Sequence, residues 1–331
     1  MQATARRVLV PTTLAALGAP LPGAALHRLG GRTMGTSWSV RAYLAPDDSP
    51  DRLRSGIEAA LDRVVAAMSH WAPGSDLCRF NAAPPGAWCA IPPDFECVLR
   101  YALALARATG GAFDPTIGRL VDLWGFGPPG PVASPPADEA LRALAAAGWR
   151  DVALAPGRAR KPGGVALDLS AVAKGYAVDL VAALLDDAGV ASHLVEIGGE
   201  LRGTGVKPDG QPWWVALEEP LGGARQTVIA LHGLSVATSG DAKRAFVAGG
   251  RRYGHTLDPR SGRPVDPRVA AVTVVADRCM AADALATALT VLGPARGMTY
   301  AIREGIAARF LLRKSERPEE RITPAFAAML A

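Results

Sequence analysis

The second half of the chain consists of short apolar runs that follow one another with few helices between them. The runs lie at residues 152–155, 165–169, 193–197, 214–217, 227–231 and 271–276. Two stretches, at 172–188 and 282–291, have the spacing and length of helices. Because strands in succession without regular strand–helix alternation do not build a doubly wound parallel sheet, this pattern predicts an α+β fold.

The first half contains conventional helix signals. Ser49-Pro50 supplies an N-cap and a first-turn proline, and apolar residues then repeat at helical spacing. A second helix is predicted to begin at Pro93. The proline-rich segment 127–136 predicts a loop or connector, and a third helix follows it. Regular structure is expected to begin near Leu29, with a strand that bends tightly at a glycine.

The N-terminal 28 residues have two interpretations. Arg6 and Arg7 precede an uncharged stretch at 8–26 in the order of a secretory signal, yet prolines interrupt the apolar run. A weak export signal and a disordered arm are equally compatible with residues 1–28. By length alone, the chain can form one large domain or two smaller ones. No other stretch approaches the roughly 20 apolar residues that a membrane span requires.

The charge pattern and the cysteines exclude two classes of site. The net charge of +5 is spread along the chain without a basic run or an aromatic-interleaved stripe, so a nucleic-acid partner is not indicated. The four cysteines form no Cys-x-x-Cys pair and no zinc spacing with histidine. A thiolate metal site is therefore not expected, and either redox state of the cysteines fits the sequence.

Residues 167–179 join an apolar run to a helix that carries Lys174 and Gly175. The first turn of a helix offers free N–H groups, and a lysine beside it makes the junction suitable for an anionic phosphate. An ordinary helix cap at Asp168 or Ser170, with a lysine that extends into solvent, explains the same residues. The spacing alone favours this second interpretation.

A second candidate is the apolar helix at 282–291, in which Asp283 and Thr287 are four residues apart. That spacing places a carboxylate and a hydroxyl on one helical face, and both are oxygen ligands suited to magnesium bound to a substrate phosphate. A first-turn carboxylate near the helix dipole and a threonine bonded to its own helix are the simpler explanation by spacing alone.

The polar turn at 253–264 contains the third candidate, His255. A histidine on such a loop can act as a general base, although a turn-stabilising role is the alternative. The glycine-rich segment 197–205 fits neither nucleotide-loop template. Thr204 stands where a P-loop requires Lys, and Pro208 replaces the third dinucleotide-fold glycine.

Eight stretches of the sequence occur in one collinear order between about Arg32 and Gly293. They are Met34-Gly-Thr36, Ser75-Asp-Leu-Cys-Arg-Phe-Asn81, Ala112-Phe-Asp-Pro-Thr-Ile-Gly118 with Leu123-Trp-Gly-Phe126, Asp168-Leu-Ser-Ala-Val-Ala-Lys-Gly175, Glu196-Ile-Gly-Gly199, Ala237-Thr-Ser-Gly-Asp241, His255-Thr-Leu-Asp-Pro-Arg-Ser-Gly262 and Ala282-Asp-Ala-Leu-Ala-Thr287. Together they resemble the ApbE family, the flavin transferases that attach FMN from FAD to a Thr or Ser of a partner protein. The resemblance implies mixed, mostly antiparallel sheets with flanking helices, and a flavin site between two interleaved subdomains of one domain at 29–331.

The resemblance also implies the residues of one combined site. The expected FAD contacts are Met34, Trp71, Ala112, Phe113, Asp114, Asp168, Lys174 and Leu257. The expected metal ligands are the Ala171 carbonyl, Asp283 and Thr287, with a further main-chain contact at Ala286. His255 matches the family's base, and Lys174 would act on the phosphates. Ser170 stands where the family usually has Gly and Trp71 where Tyr is more usual, which affects flavin packing more than the chemistry.

The reaction implied by the resemblance is Mg²⁺-dependent transfer of FMN from FAD, the substrate, to a Thr or Ser hydroxyl, with release of AMP. An FAD pyrophosphatase that releases FMN and AMP would need the same residues, with water in place of the acceptor hydroxyl. A non-catalytic FAD-binding protein would not need Asp283 and Thr287. The expected partner is an acceptor flavoprotein such as a subunit of a membrane redox complex. Such acceptors imply a periplasmic or inner-membrane-associated location, with the cytoplasm as the alternative.

Overall fold

The structure is a computed structural model that describes residues 5–12, 18–20, 22–144, 148–222, 225–241, 245–314 and 317–330. The helices are α1 (Pro50–Met68), α2 (Asp76–Ala82), α3 (Pro93–Ala108), α4 (Gly118–Leu123), α5 (Asp138–Leu144), α6 (Ser170–Asp187), α7 (Cys279–Arg303) and α8 (Pro324–Ala327). The first nine strands are β1 (Ala5–Leu9), β2 (Ala25–Thr33), β3 (Thr36–Leu44), β4 (Cys89–Ala90), β5 (Ala153–Ala155), β6 (Arg158–Arg160), β7 (His193–Ile197), β8 (Glu200–Thr204) and β9 (Trp213–Ala216). The others are β10 (Arg225–Leu231), β11 (Leu234–Gly240), β12 (Ala245–Ala248), β13 (Arg251–Gly254), β14 (Leu257–Asp258), β15 (Arg263–Pro264), β16 (Val269–Ala276), β17 (Ala307–Leu312) and β18 (Glu319–Ile322).

An eight-stranded sheet forms the centre of the fold, in the order β18-β17-β16-β11-β8-β7-β3-β2. Every pairing in it is antiparallel. Alternate residues of β3, namely Trp38, Val40 and Ala42, are buried in the core that this face shares with α1 and α6. Helix α7 packs beside α6. The predicted α+β class with mostly antiparallel sheets is confirmed, and the two helices that carry candidate residues lie together.

A three-stranded sheet, β1-β10-β9, and helix α8 pack near the opposite face. Strand β1 runs parallel to β10 and pairs with it through five residues, and Leu9 at its end is fully buried. The expectation that regular structure begins near Leu29 is therefore wrong, because β1 completes an edge of β10 and β2 begins at Ala25. Residues 1–4, 13–17 and 21 of the predicted arm lie outside the described residues.

The helix signals of the first half are confirmed. The Ser49 hydroxyl accepts a hydrogen bond from the Arg52 N–H at 3.3 Å, and α1 begins at Pro50. Helix α3 begins at Pro93 as predicted, and segment 127–136 is irregular up to α5. The short helix α2 was not predicted, although Ser75 caps it by accepting from the Cys78 N–H at 3.0 Å.

The strand predicted at 165–169 is wrong. Its single ladder contact is a bridge between Ala166 and Ile117. The Asn81 side chain occupies the polar groups of Leu167, accepting from its N–H at 2.7 Å and donating to its carbonyl at 2.9 Å. The N–H of Asp168 donates to the Pro115 carbonyl at 2.8 Å. These groups need no neighbouring strand, so a buried extended loop leads directly into α6.

The helix predicted at 282–291 is the first part of α7. The helix begins earlier, at Cys279, and it bends at Gly293, which has a φ of 74° and precedes Pro294. Asp283 and Thr287 thus lie in the straight segment before the bend. In the part of the chain that the structure describes, we find no helix with the length and apolar character of a membrane crossing.

Candidate active site

Helices α6 and α7 approach most closely at Gly175. Its N–H donates to Asp283 Oδ2 at 3.0 Å. A Cβ atom at this position would overlap the Cys279 carbonyl and lie 2.8 Å from the Asp283 Cβ, so only glycine allows this contact. The Asp283 side chain is buried, and burial raises its pKa, while the nearby Lys174 and the Gly175 N–H oppose the rise. The predicted pair Lys174 and Asp283 is therefore brought together.

The oxygen atoms around Asp283 fit a hard cation. In a regular helix the Gly175 N–H would bond to the Ala171 carbonyl. Because this N–H donates to Asp283, the Ala171 carbonyl is more available to another ligand. Thr290 and Thr299 donate to carbonyls four residues earlier. Among the described residues no such bond engages the Thr287 hydroxyl. The threonine expected to bind metal therefore departs from the ordinary back-bonded arrangement.

Other observations limit how a metal could be held. No group of three or more His, Cys, Asp or Glu side chains that could hold a metal occurs among the described residues. A cation beside Asp283 would therefore rely on hydroxyl, carbonyl, water and substrate oxygens, which suits Mg²⁺. Ala286 is buried, and its carbonyl already accepts from the Thr290 hydroxyl at 2.8 Å. This occupied acceptor fits metal binding less well than the Ala171 carbonyl does.

Lys174 is paired inside the protein and does not extend into solvent. Its ammonium group donates to Glu200 Oε1, and the two side chains are 30% and 5% exposed. Burial alone would lower the pKa of Lys174, but Asp283 and Glu200 outweigh burial and raise it to about 12. Burial raises the pKa of Glu200 to about 7 despite the opposing effect of Lys174. Lys174 thus stays charged.

Glu200 and Asp179, which were not predicted as site residues, help to position Lys174 and α7. Glu200 starts β8 directly after the Gly198–Gly199 turn, whose φ angles are 66° and 108°. Its second oxygen, Oε2, is buried without a hydrogen-bond partner among the described residues. Asp179, at the end of the segment that carries Lys174, accepts from the N–H groups of Cys279 and Met280, both at 2.9 Å. It thereby caps α7 from the neighbouring helix.

Asp168 anchors a second group of expected flavin contacts. Its Oδ1 accepts from the Ser170 N–H at 2.7 Å and lies 3.6 Å from His70 Nδ1. The Ser170 hydroxyl lies 3.3 Å from the same nitrogen. The neighbouring Trp71 is 52% exposed, and its ring centroid lies 5.4 Å from that of His70. An exposed aromatic ring beside a polar cluster is suited to a flavin ring.

The loop that contains Ala112, Phe113 and Asp114 lies against this cluster, since Pro115 accepts from the Asp168 N–H. Ala112 and Phe113 are buried. Burial raises the pKa of Asp114, although hydrogen bonds from Thr116 to its Oδ1, at 2.8 and 2.6 Å, oppose the rise. Met34, in the β2–β3 turn, has a φ of 49°, in a region that side chains rarely adopt. With Gly35, which has a φ of 72°, Met34 forms the two-residue turn between the paired Thr33 and Thr36.

His255 and Leu257 belong to a cluster rich in aromatic rings. It lies next to α4, the helix that comes after the loop that contains Asp114. The His255 ring meets Phe126 edge to face, with centroids 6.3 Å apart. Leu257 is buried with Leu120 and Trp124, and Trp124 donates to the Gly262 carbonyl at 2.8 Å. Since α4 joins this cluster to the loop beside Asp168, contacts run continuously from the start of α6 to His255.

The chain is similar to known proteins over most of its length. The model of the ApbE family matches residues 34–310. An FAD:protein FMN transferase of Vibrio cholerae is 36% identical over 329 residues, covering 98% of each chain. The flavinyl transferase ApbE of Pseudomonas stutzeri, solved in its apo form, has a TM-score of 0.87 and 39% identity, covering 92% of this chain and 97% of that chain.

The chain belongs to the ApbE family. A solved flavin transferase ApbE from Vibrio cholerae has a TM-score of 0.86 and 36% identity, covering 93% of this chain and all of that chain. Similarity over almost the whole length includes every predicted site residue of this ApbE-family chain. Sequence reasoning missed Glu200, His70 and Asp179, although Glu200 and Asp179 directly adjoin or end quoted stretches.

Proposed function

We propose that the protein transfers FMN from FAD to a Thr or Ser hydroxyl of an acceptor flavoprotein, forming a phosphoester bond and releasing AMP. The observation that carries the proposal is the Gly175–Asp283 contact. It joins the helix that carries the charged Lys174 to the helix that carries the buried Asp283. Thr287 lies one turn further along α7, and among the described residues its hydroxyl makes no hydrogen bond. Phosphoryl transfer requires this combination of positive charge and oxygen ligands.

The residues divide the work as follows. Lys174, which keeps its proton, orients the pyrophosphate and stabilises the departing AMP. Asp283, Thr287 and the Ala171 carbonyl would hold Mg²⁺, which neutralises charge on the phosphates. His255 takes the proton of the acceptor hydroxyl as its oxygen bonds to the FMN phosphorus and the bond to the AMP oxygen breaks. Trp71, Met34 and Asp168 hold the flavin half of FAD.

Two other activities are compatible with part of this site. An FAD pyrophosphatase would use the same residues, with water in place of the acceptor hydroxyl. A protein that only binds FAD has no need for Thr287 and Asp283 on one face beside Lys174. The relatives named above as transferases favour transfer.

The direct test mixes purified protein, FAD, Mg²⁺ and candidate acceptor flavoproteins, and then looks for flavin fluorescence that survives denaturing electrophoresis. We expect a labelled acceptor band and an equal amount of AMP. Free FMN without a labelled acceptor would instead identify a pyrophosphatase. FAD that stays intact would identify a binding protein.

The metal assignment is tested in the same assay. We expect Asp283→Ala to lower labelling at least about 100-fold, and Thr287→Val to raise the Mg²⁺ concentration needed by about tenfold or more. Thr290→Val is the matched control, because this hydroxyl bonds within α7. Mn²⁺ binding, measured by calorimetry without FAD, gives a second readout. Wild-type labelling by Asp283→Ala would rule the metal site out.

We also propose that the acceptor is a subunit of a membrane redox complex or a related protein, and that the chain acts in the periplasm or at the inner membrane. The order of Arg6, Arg7 and an uncharged stretch supports export. Strand β1 supports the cytoplasmic alternative, because removal of residues 1–28 as a signal would remove a paired strand.

A further inference from the structure

A groove on the main sheet has no role in the site described above. Its volume is about 290 Å³. Its floor consists of alternate residues of neighbouring strands, which form one face of the sheet: Arg41, Leu194, Glu196, Leu201, Val236 and Thr238. Leu201 directly follows Glu200, whose side chain contacts Lys174. Since successive strand residues face opposite sides, the groove lies on the face away from α6.

One wall of the groove is a strand edge. It consists of the consecutive residues 214–218, whereas a strand that presented a face would contribute alternate residues. Within the described chain, β9 pairs only with β10. The Leu217 N–H donates to the Thr227 carbonyl at 2.9 Å. By the alternation of an antiparallel ladder, the backbone N–H and C=O groups of Trp214 and Ala216 point toward the free edge.

The groove reaches the end of the sheet that carries the active site. Gly199 lines one end of the groove and directly precedes Glu200, which contacts Lys174. The pairing of β11 with β8 ends at Val236 and Leu201, the residue after Glu200. The pairing of Trp38 with Ile197 brings the Met34 turn to the same end. One end of the groove therefore lies next to the strand residue that contacts Lys174.

The chemistry of the groove suits an extended peptide. A free strand edge offers main-chain hydrogen bonds, and Trp214, which is 41% exposed, offers apolar surface to a cross-strand neighbour. Arg41 and Glu196 on the floor add polar groups that an extended peptide can contact. The volume lies near the lower end of the range for ligand pockets, about 300–1,000 Å³, which is room for a short segment.

We infer that β9 is the docking edge for the acceptor protein, whose segment next to the modified Thr or Ser adds to it as an extra strand. This inference rests on the proposed function and adds where the acceptor binds. It names main-chain pairing at residues 214–216 as the main contact and the exposed Trp214 ring as the side-chain contact.

The test compares two groove variants with a control in the labelling assay, using one candidate acceptor flavoprotein throughout. Ala216→Pro removes an outward N–H while keeping the bonds to β10, since proline is tolerated on a strand edge. Trp214→Ala removes the exposed ring. Trp88→Ala is the matched control, because Trp88 is also 41% exposed but lies outside the groove. We expect both groove variants to raise KM for the acceptor about tenfold, with kcat and FAD affinity unchanged.

Hydrogen exchange of the peptide that covers residues 213–219 separates docking from chemistry. We expect slower exchange when the acceptor is added, in wild-type protein and in Trp88→Ala but not in Ala216→Pro. Unchanged KM values together with unchanged exchange would overturn the docking edge. Protection caused by raising the enzyme concentration alone would also overturn it, since a second copy would then occupy the edge. Protection without labelling would keep the docking edge and reject transfer.

Discussion

The charge on Lys174 matters for stability as well as for phosphate binding. Its ammonium lowers the pKa of both Glu200 and Asp283, and both carboxyl groups are buried. Burial raises the pKa of both carboxyl groups even with Lys174 charged, and without that charge both pKa values would rise further above those of the unfolded chain. Stability from such groups is present at low pH and is lost as the pH rises through the folded pKa. The pH dependence of stability therefore depends on whether Lys174 is present to pair with these two carboxyl groups.

We expect Lys174→Met to destabilise the metal-free protein by about 3 kcal/mol at pH 8 and by clearly less at pH 5. At pH 5 the unpaired carboxyls can be protonated in the folded protein, whereas at pH 8 they are buried charges. Chemical unfolding in EDTA at the two pH values measures the difference.

Lys207→Met is the matched control for this variant. Lys207 is 26% exposed, much like Lys174, but its partner Asp209 is 61% exposed. We expect a change below about 1 kcal/mol at both pH values. If Lys174→Met lost the same stability at pH 5 and pH 8, the charge coupling would be wrong and the loss would be one of packing.

Single residues of the site were predictable to different degrees. Lys174, His255 and Asp283 could be named because their stretches have residue types and spacing that match a family. Glu200 could not be named, because its role depends on β8 placing it under α6 and on the turn before it. No local pattern distinguishes a buried glutamate from an exposed one at the start of a strand.

At the scale of elements, the distance between α6 and α7 depends on Gly175. The helices meet where a Cβ would overlap the Cys279 carbonyl, and the same glycine donates to Asp283. Asp179 then fixes the start of α7 by accepting two N–H groups. The geometry of the expected metal site is thus a property of the helix pair.

We expect Gly175→Ala to destabilise the protein by about 2 kcal/mol and to weaken Mn²⁺ binding, because the helices must separate. Gly56→Ala in α1 is the control. Its new Cβ would lie 3.5 Å from the nearest atom, a Leu184 methyl, in ordinary contact. We expect this control to gain about 0.5–1 kcal/mol from the better helix former. Urea unfolding and calorimetry check both effects, and equal behaviour of the two variants would refute the close helix contact.

Elements with local signals were predicted well, and elements without them were not. Capping residues and apolar spacing identify α1 and α3, since both signals act within a few residues. The segment 165–169 has strand composition, yet Asn81 and Pro115, far away in sequence, satisfy its backbone. The small hairpins β12–β13 and β14–β15 were missed because they contain no long apolar run. Aromatic packing stabilises such a hairpin instead, as in the stacking of Phe246 on Tyr253.

At the scale of the whole molecule, the N-terminal strand connects distant parts of the chain. Leu9 packs in one cluster with Ile229 and Phe326. Arg7 forms an ion pair with Glu320 in β18 at 2.5 Å. The N–H of Val10 donates to the Met329 carbonyl at 2.7 Å. Residues 7–10 thus contact β10, β18 and the C-terminal segment of the chain.

We expect Leu9→Ala to destabilise the protein by about 3 kcal/mol, because a fully buried side chain leaves a cavity among three elements. Leu26→Ala, at a position that is 40% exposed in β2, should change stability by less than about 0.5 kcal/mol. Urea unfolding of both variants measures the contrast, and the intact mass of protein purified from its native cells shows whether residues 5–9 are retained. A strand worth several kcal/mol should be kept in the mature chain. If the mass showed cleavage before Ala25, Leu9 could not contribute to the working enzyme, β10 would present a free edge, and the export hypothesis would be favoured over the cytoplasmic one.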